Sequence, residues 1–156
     1  MSSFLKFYKG HLKITESAGY ITRIEYLNKV EKPKPETETD LEINAKEQLS
    51  DYIEGRRKSL NFPVSEVGTK FQKEVWSQLK DIPYGESLSY GEVALSVGGT
   101  NYSRAVGGAC NKNPLLIYIP CHRVTSQRGL GGFAIDIGVK EKLLAIELSK
   151  SSSSRQ

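Results

Sequence analysis

The stretch Leu115-Leu116-Ile117-Tyr118-Ile119-Pro120-Cys121-His122-Arg123-Val124 decides how the chain is read. Five apolar or aromatic residues run into a proline, and a thiol, an imidazole and a guanidinium follow without a gap. The pattern predicts a buried strand that delivers a cysteine to a fixed position beside a titratable base, which is the arrangement nucleophile chemistry needs. A free thiol with a pKa near 8.5 is only about 3% thiolate at neutral pH, so an imidazole to take its proton is useful chemistry. On an extended chain, however, adjacent side chains point to opposite sides. Cys121 and His122 would then need a water or a bend after Pro120 to connect them. The competing reading is a core cysteine with a surface histidine next to it.

Working outward, the residues just before this stretch read as helices. Thr69 with Gln72 and Ser89 with Glu92 are capping boxes. The first opens a helix lined by Phe71, Val75, Trp76 and Leu79, and the second a helix carrying Val93, Ala94 and Val97. Gly98-Gly99 breaks the second, and a further helix runs from Ser103 to about Cys110, its apolar side formed by Ala105, Val106 and Ala109. Two short helices about a glycine turn make a helix-turn-helix. The latter helix is rich in small residues: Ala105, Gly107, Gly108 and Ala109. A glycine costs a helix about 1 kcal/mol relative to alanine, so a pair needs a reason. Close approach of a nucleic acid or another backbone is one, and a tight helix–helix contact is the other. Cys110 reads as an inert packing residue.

After Val124 comes a glycine-rich stretch to Gly132, then Phe133 and Ala134, and a last helix from about Val139 to Ser149. Glu147 shares the side of Leu143 and Leu144, so it lies at the edge of an apolar stripe or is buried with a partner. Residues 150–156 read as a disordered tail.

The N-terminal part has a different texture. Alternation through residues 4–27 predicts strands, with a turn at Ser17-Ala18-Gly19 and His11 exposed at a strand end. A polar, proline-interrupted connection leads to a third capping box, Thr39 with Glu42, and a helix with Leu41, Ala45, Leu49, Tyr52 and Ile53 on one face. Gly55 and Arg56-Arg57-Lys58 close it, the basic run reading as complementing the helix dipole. The fold class expected is α/β (α+β): a strand-rich N-terminal domain over 1–65 and a helical domain over 66–149.

Composition fits an ordinary globular protein of 156 residues, 38% apolar and 26% charged, with a net charge of +4. No run approaches the ~20 apolar residues of a membrane helix, and the N-terminus lacks a signal-peptide core. The expectation is a cytoplasmic protein, or a nuclear one in a eukaryote. Two cysteines give no disulfide framework, and two Cys with two distant His do not match structural zinc spacing, so neither metal nor cofactor is expected.

Ile119-Pro120-Cys121-His122-Arg123-Val124 resembles the active-site signature of the O6-alkylguanine-DNA alkyltransferases, the methylated-DNA–protein-cysteine methyltransferases. Gly68-Thr69-Lys70-Phe71-Gln72 with Val75-Trp76 and Leu79, then Ile82-Pro83-Tyr84-Gly85, is similar to the family's lead-in helix and turn. Ser89-Tyr90-Gly91 and Arg104-Ala105-Val106-Gly107 resemble its helix-turn-helix, and Asn113-Pro114 its hinge. Lys140, Leu143-Leu144 and Glu147 fit its last helix. The likeness spans about residues 66–149. It implies a monomer that binds duplex DNA, flips out an O6-alkylguanine and moves the alkyl group to Cys121 in one irreversible step. His122 would take the thiol proton through a water, Glu147 would hold His122, and Asn113 would order the hinge. Tyr90 would bond guanine N3, Arg104 would fill the gap in the stack, and Ala105, Gly107 and Gly108 would admit the helix to the minor groove. Arg123 is placed with the DNA-facing residues, while Val124, Phe133 and Ala134 would form the pocket. Ile135-Asp136-Ile137 stands where many relatives have a glycine pair, which implies a narrower pocket for bulky adducts. The zinc ligands of some members are missing here. The rival functions are a lesion-binding module without transfer and a cysteine hydrolase.

Overall fold

In the computed structural model, residues 2–28, 38–126 and 137–153 are described, the last three without side chains. The chain divides into two compact units, residues 1–67 with 114–116, and residues 68–113 with 117–156. The break near residue 65 is therefore at Val67–Gly68, and three residues of the expected second domain, Pro114–Leu116, belong to the first unit.

In the first unit, β1 (Ser2–Phe7), β2 (Gly10–Ser17) and β3 (Tyr20–Leu27) form an antiparallel meander in that order. Alternation puts Leu12 and Ile14 of β2 and Ile24 and Tyr26 of β3 in the core, and Ile21, out of phase with the latter two, is buried where the register shifts at Thr15/Glu16. Tyr8 (φ 54°) and Ala18 (φ 53°) take the left-handed backbone that two-residue hairpin turns require. His11 is half-buried inside β2, paired with Lys6 and Leu27, and is not an exposed strand end.

Both hydrogen-bonding faces of β3 are occupied. On the side away from β2, Ile21 N–H donates to Pro63 O (2.9 Å) and Ile24 N–H donates to Pro114 O (2.9 Å). Leu116 N–H donates to Ile24 O (3.0 Å), so the apolar run pairs with β3 only around Leu115. An edge left open would be a template for another chain.

Helix α1 (Asp40–Ile53) covers the sheet. The Thr39–Glu42 capping box is formed, and Glu42 is itself buried. The buried amide of Gln48 donates to Asn61 O (2.9 Å) and accepts from Asn61 N–H (2.7 Å), pinning the chain after the helix. Gly55 (φ 77°) ends the helix in the left-handed region, and Arg56 folds back on Asp51 (2.9 Å) instead of standing free.

The second unit is helical. Helices α2 (Lys70–Lys80), α3 (Tyr90–Val97) and α4 (Ser103–Asn111) pack on one another around Val75, Trp76, Leu79, Val93, Ala94, Val106 and Ala109. Both expected capping boxes are formed. Gly98 (φ 153°) ends α3, and a 3-10 turn over Thr100–Tyr102 leads into α4. Trp76 anchors the cluster by donating its indole N–H to Ala109 O (2.9 Å). Gly68 makes room for it: a Cβ there would come within 2.5 Å of the indole ring. Two short strands, β4 (Leu88–Ser89) and β5 (Val124–Thr125), pair in parallel. The last helix, α5 (Ile137–Ser153), starts before Val139 and continues through the first four residues of the expected tail. Among the described residues no helix is long and apolar enough to cross a membrane.

Trp76→Phe removes the indole N–H and part of the ring, so Ala109 O keeps only the Lys112 backbone N–H (3.2 Å) and a small void opens in the core. Losing the bond and the packing together costs about 1–3 kcal/mol. Urea unfolding should show a loss of that size with the cooperativity of the transition unchanged.

Candidate active site

The apolar run is not a strand at its end. Buried Ile117 has φ 74°, a conformation that β-branched residues rarely adopt, and Cys121–Arg123 form one 3-10 turn. Cys121 N–H donates to Ile119 O (2.8 Å), and Arg123 N–H donates to Pro120 O (3.0 Å). On such a turn successive side chains are about 120° apart, so neighbours can converge where an extended chain would separate them. Two of the three consecutive side chains, those of His122 and Arg123, thus serve one centre, while Cys121 is bonded by Asn113.

Glu147 of α5 is that centre. Its carboxylate, 1% exposed, is surrounded by donors. Oε2 lies 2.5 Å from His122 Nε2 and accepts from Arg123 Nη2 (3.1 Å). Oε1 accepts from Arg123 Nε (2.8 Å) and from the Gly85 backbone N–H (3.1 Å). Burial alone would raise this carboxyl, but the bonds and charges of His122 and Arg123 override it and hold Glu147 down at about 2. The alternative left open by the sequence is settled: Glu147 is buried with partners.

This geometry assigns the imidazole tautomer. An ionised carboxylate can only accept, so Nε2 carries the hydrogen and Nδ1 presents a lone pair. Nδ1 is buried and bonds no protein atom among the described residues. Burial lowers the His122 pKa, Glu147 raises it, and the nearby Arg123 and Lys140 charges lower it again. Arg123 already neutralises Glu147, so His122 stays a neutral base.

Cys121 is 2% exposed, and burial pushes its thiol up to about 11. The Asn113 amide, the Lys140 charge and a backbone hydrogen bond from Cys121 oppose this. Asn113 Nδ2 donates to Sγ (3.2 Å) and also to Ile119 O (2.8 Å), and the Lys140 charge favours the thiolate. Asn113 therefore ties the end of α4 to the cysteine and to the residue two before it.

Lys140 is fully buried and donates to Val124 O (2.6 Å), with Nζ 5.9 Å from the Tyr90 ring centre. Tyr90, the first residue of α3, is pushed up to about 12 by burial and by the thiols of Cys110 and Cys121, so it remains a proton donor. Cys110, also buried, is raised to about 12.

Of the expected site residues, Asn113 is thus hydrogen-bonded to Cys121 and Glu147 to His122, and the Cys121 thiol acts on Tyr90 electrostatically. Val124 is buried next to them and binds Lys140 through its carbonyl. Arg104, Ala105 and Gly108 lie exposed on α4 and Gly107 half-buried, apart from these bonds. Phe133, Ala134, Ile135 and Asp136 lie outside the described residues.

One placement was wrong. Arg123 does not face outward toward DNA: it is buried, bonded to Glu147 and to Ile82 O (2.7 Å), with its guanidinium 5.7 Å from the Tyr84 ring centre. A buried carboxylate with a single histidine would be short of donors, and Arg123 supplies them. Sequence reading also gave Lys140 no role. Its signal was present, since positions 140, 143, 144 and 147 are one helical stripe with a cation at one end and an anion at the other. Ala105 likewise was expected on the apolar side of its helix and is exposed instead. Among the described residues, no three His, Cys, Asp or Glu side chains gather as a metal site.

The fold and site define a class: α/β proteins in which a helical domain buries one cysteine beside a histidine–carboxylate pair. Residues 70–149 match the family profile described as 6-O-methylguanine DNA methyltransferase, DNA binding domain. The chain is 42% identical over 134 residues to a methylated-DNA–protein-cysteine methyltransferase of Methanosarcina acetivorans, covering 85% of this chain and 86% of that one. It superposes on the crystal structure of the Mycobacterium tuberculosis O6-methylguanine methyltransferase with a TM-score of 0.84 at 33% identity, covering 96% and 93% of the two chains. A structure of the M. tuberculosis protein in complex with DNA gives 0.83 at 33% identity, covering 94% and 92%. The protein belongs to the 6-O-methylguanine DNA methyltransferase family.

Acid should unfold the protein in two stages. His122, with its pKa lowered in the fold, is charged more readily in the unfolded chain, so stability declines below about pH 6.5. Glu147 is held near 2 in the fold and titrates near about 4.3 when unfolded. Its contribution is complete above that value and is lost as pH falls toward 2. Urea unfolding across this range should show both stages. Glu147→Gln should abolish the lower one and lose about 3–5 kcal/mol at neutral pH, because Arg123 stays buried without its counter-charge.

Proposed function

We propose that this protein repairs alkylated DNA by taking the alkyl group from O6 of guanine onto Cys121, once per molecule. The observation that carries this reading is the convergence on one turn of a buried thiol bonded by Asn113 and a neutral histidine held by Glu147. A thiol with a pKa near 11 needs about 5 kcal/mol to ionise at pH 7, so nucleophilic attack requires the base. The Cys121 proton passes through one water to His122 Nδ1, and Glu147 stabilises the imidazolium. The thiolate sulfur attacks the alkyl carbon, the carbon–O6 bond breaks, and its electron pair leaves with guanine. Tyr90, still protonated, donates to N3 of the departing base. The new thioether has no proton to release and no bond that water opens, so the acceptor is consumed.

The reading places duplex DNA against α4, with the lesion turned out of the stack toward Cys121. Three features support it. No acidic residue occurs between Glu92 and Asp136, while Arg104 and Lys112 stand exposed at the two ends of α4. A Cβ on Gly108 would meet nothing within 4 Å, and one on Gly107 only the Tyr90 ring at 3.9 Å, so helix packing does not account for the pair. A surface almost free of side chains lets a groove come close. The M. tuberculosis relative has been crystallised in complex with DNA. The protein acts as a monomer, with Arg104 filling the space the flipped base leaves.

Incubating the protein with a duplex holding one O6-methylguanine should add one methyl group to its intact mass and none to Cys121→Ala. His122→Ala should slow transfer by about 10²-fold or more. Methyl loss from DNA at many equivalents per protein would show a turnover enzyme instead, and binding without methyl gain a lesion-recognition module.

Gly108→Ala separates folding from recognition. It should stabilise α4 by up to about 1 kcal/mol in thermal or urea unfolding. Duplex binding should weaken at the same time, which a fluorescence titration would read.

A further inference from the structure

Tyr102 is unusual for an exposed aromatic residue. It immediately precedes α4, is 41% exposed, and its ring is fixed from two sides. Phe71 lies against it with ring centres 5.8 Å apart and 31° between planes. On another side Gly98 approaches so closely that a Cβ there would come within 2.8 Å of Tyr102 Cε2 and 3.1 Å of Cδ2. The backbone is tied as well, Tyr102 N–H donating to Gly99 O (3.0 Å). The hydroxyl nevertheless bonds no described protein atom. Arg104 follows two residues later on the exposed start of α4, also without a partner among the described residues.

A ring locked in place with its polar end unused is a preorganised contact. Tyrosine suits this, offering large area and a donor with few rotors to immobilise. Phosphate contacts of this kind set the register of a protein on a duplex without reading sequence.

Resting on the DNA-repair reading above, we propose that Tyr102 anchors the duplex, its ring held by Phe71 and Gly98 so that its hydroxyl donates to a phosphodiester oxygen of the strand beside Arg104. The contact positions DNA and does not take part in alkyl transfer. It adds a neutral donor where the recognition helix is otherwise built of small residues.

Tyr102→Phe keeps the ring and its packing and removes only the donor. It should bind duplex about 10- to 100-fold more weakly, the range of one lost hydrogen bond to a charged group. Its rate of methyl uptake from free O6-methylguanine base, which needs no phosphate contact, should equal the wild-type rate. Gly98→Ala, which must displace the ring, should weaken duplex binding similarly, with the melting temperature recorded alongside. Equal duplex affinity of Tyr102→Phe and wild type would overturn the proposal, and so would a matching fall in the free-base rate. Duplex affinity is read separately from methyl uptake. A chain whose Tyr102-dependent binding brings no methyl gain would therefore refute repair and leave the anchor standing.

Discussion

Everything at the active site depends on one buried carboxylate. Glu147 has a cost of burial that only donors can offset, and four arrive from three residues: the His122 imidazole, two nitrogens of the Arg123 guanidinium and the Gly85 amide. Each donor is fixed in return. His122 acquires one tautomer, Arg123 is drawn inward across Tyr84, and the turn before β4 is tied to the last helix. The same saturation keeps His122 neutral, because a carboxylate already satisfied by arginine gives an imidazolium less to gain. A base that is neutral at rest can take a proton, whereas a permanent ion pair could not.

The thiol is governed by a balance of opposite sense. Burial raises it, and the Asn113 amide with the Lys140 charge pulls it partly back. Burial of a nucleophile looks counterproductive until the leaving group is considered. A site that excludes water protects the thiol from competing reactions and strengthens every electrostatic term within it. In the proposed transfer the deprotonation cost falls on His122, which follows Cys121 on the same 3-10 turn.

The path of the chain between α4 and Cys121 is held at both ends. It leaves Asn113, pairs with β3 around Leu115, and turns back through Ile117 with φ 74°. Asn113 then bridges the start of this excursion to its end by bonding both Ile119 O and Cys121 Sγ. A strained residue persists only where its surroundings over-determine it. Here two ladder bonds on one side and the asparagine fork on the other do so.

Much of this was written in the sequence in local form. Capping boxes at Thr39, Thr69 and Ser89 place three helix starts, because a cap is a contact across three residues and needs no distant partner. Alternation places the meander for the same reason, and the stripe at 140, 143, 144 and 147 holds the ends of the last helix's buried face. The ordered motifs from Gly68 to Glu147 carry the family likeness. What could not be read locally are facts of distance in space. The run into Cys121 has the apolarity of a strand, yet its pairing with β3 stops near Leu115, and the chain turns where no ladder partner remains. Arg123 has the composition of a surface residue, and only the approach of Glu147, 24 positions away, makes its burial favourable. The spare surface of Gly108 and the locked ring of Tyr102 also belong to the tertiary structure, since openness and confinement depend on what folds next to them. Sequence by itself determined which elements form and which groups can react. Tertiary structure decided which charges meet, because a buried ion is stable only where its partners are brought to it.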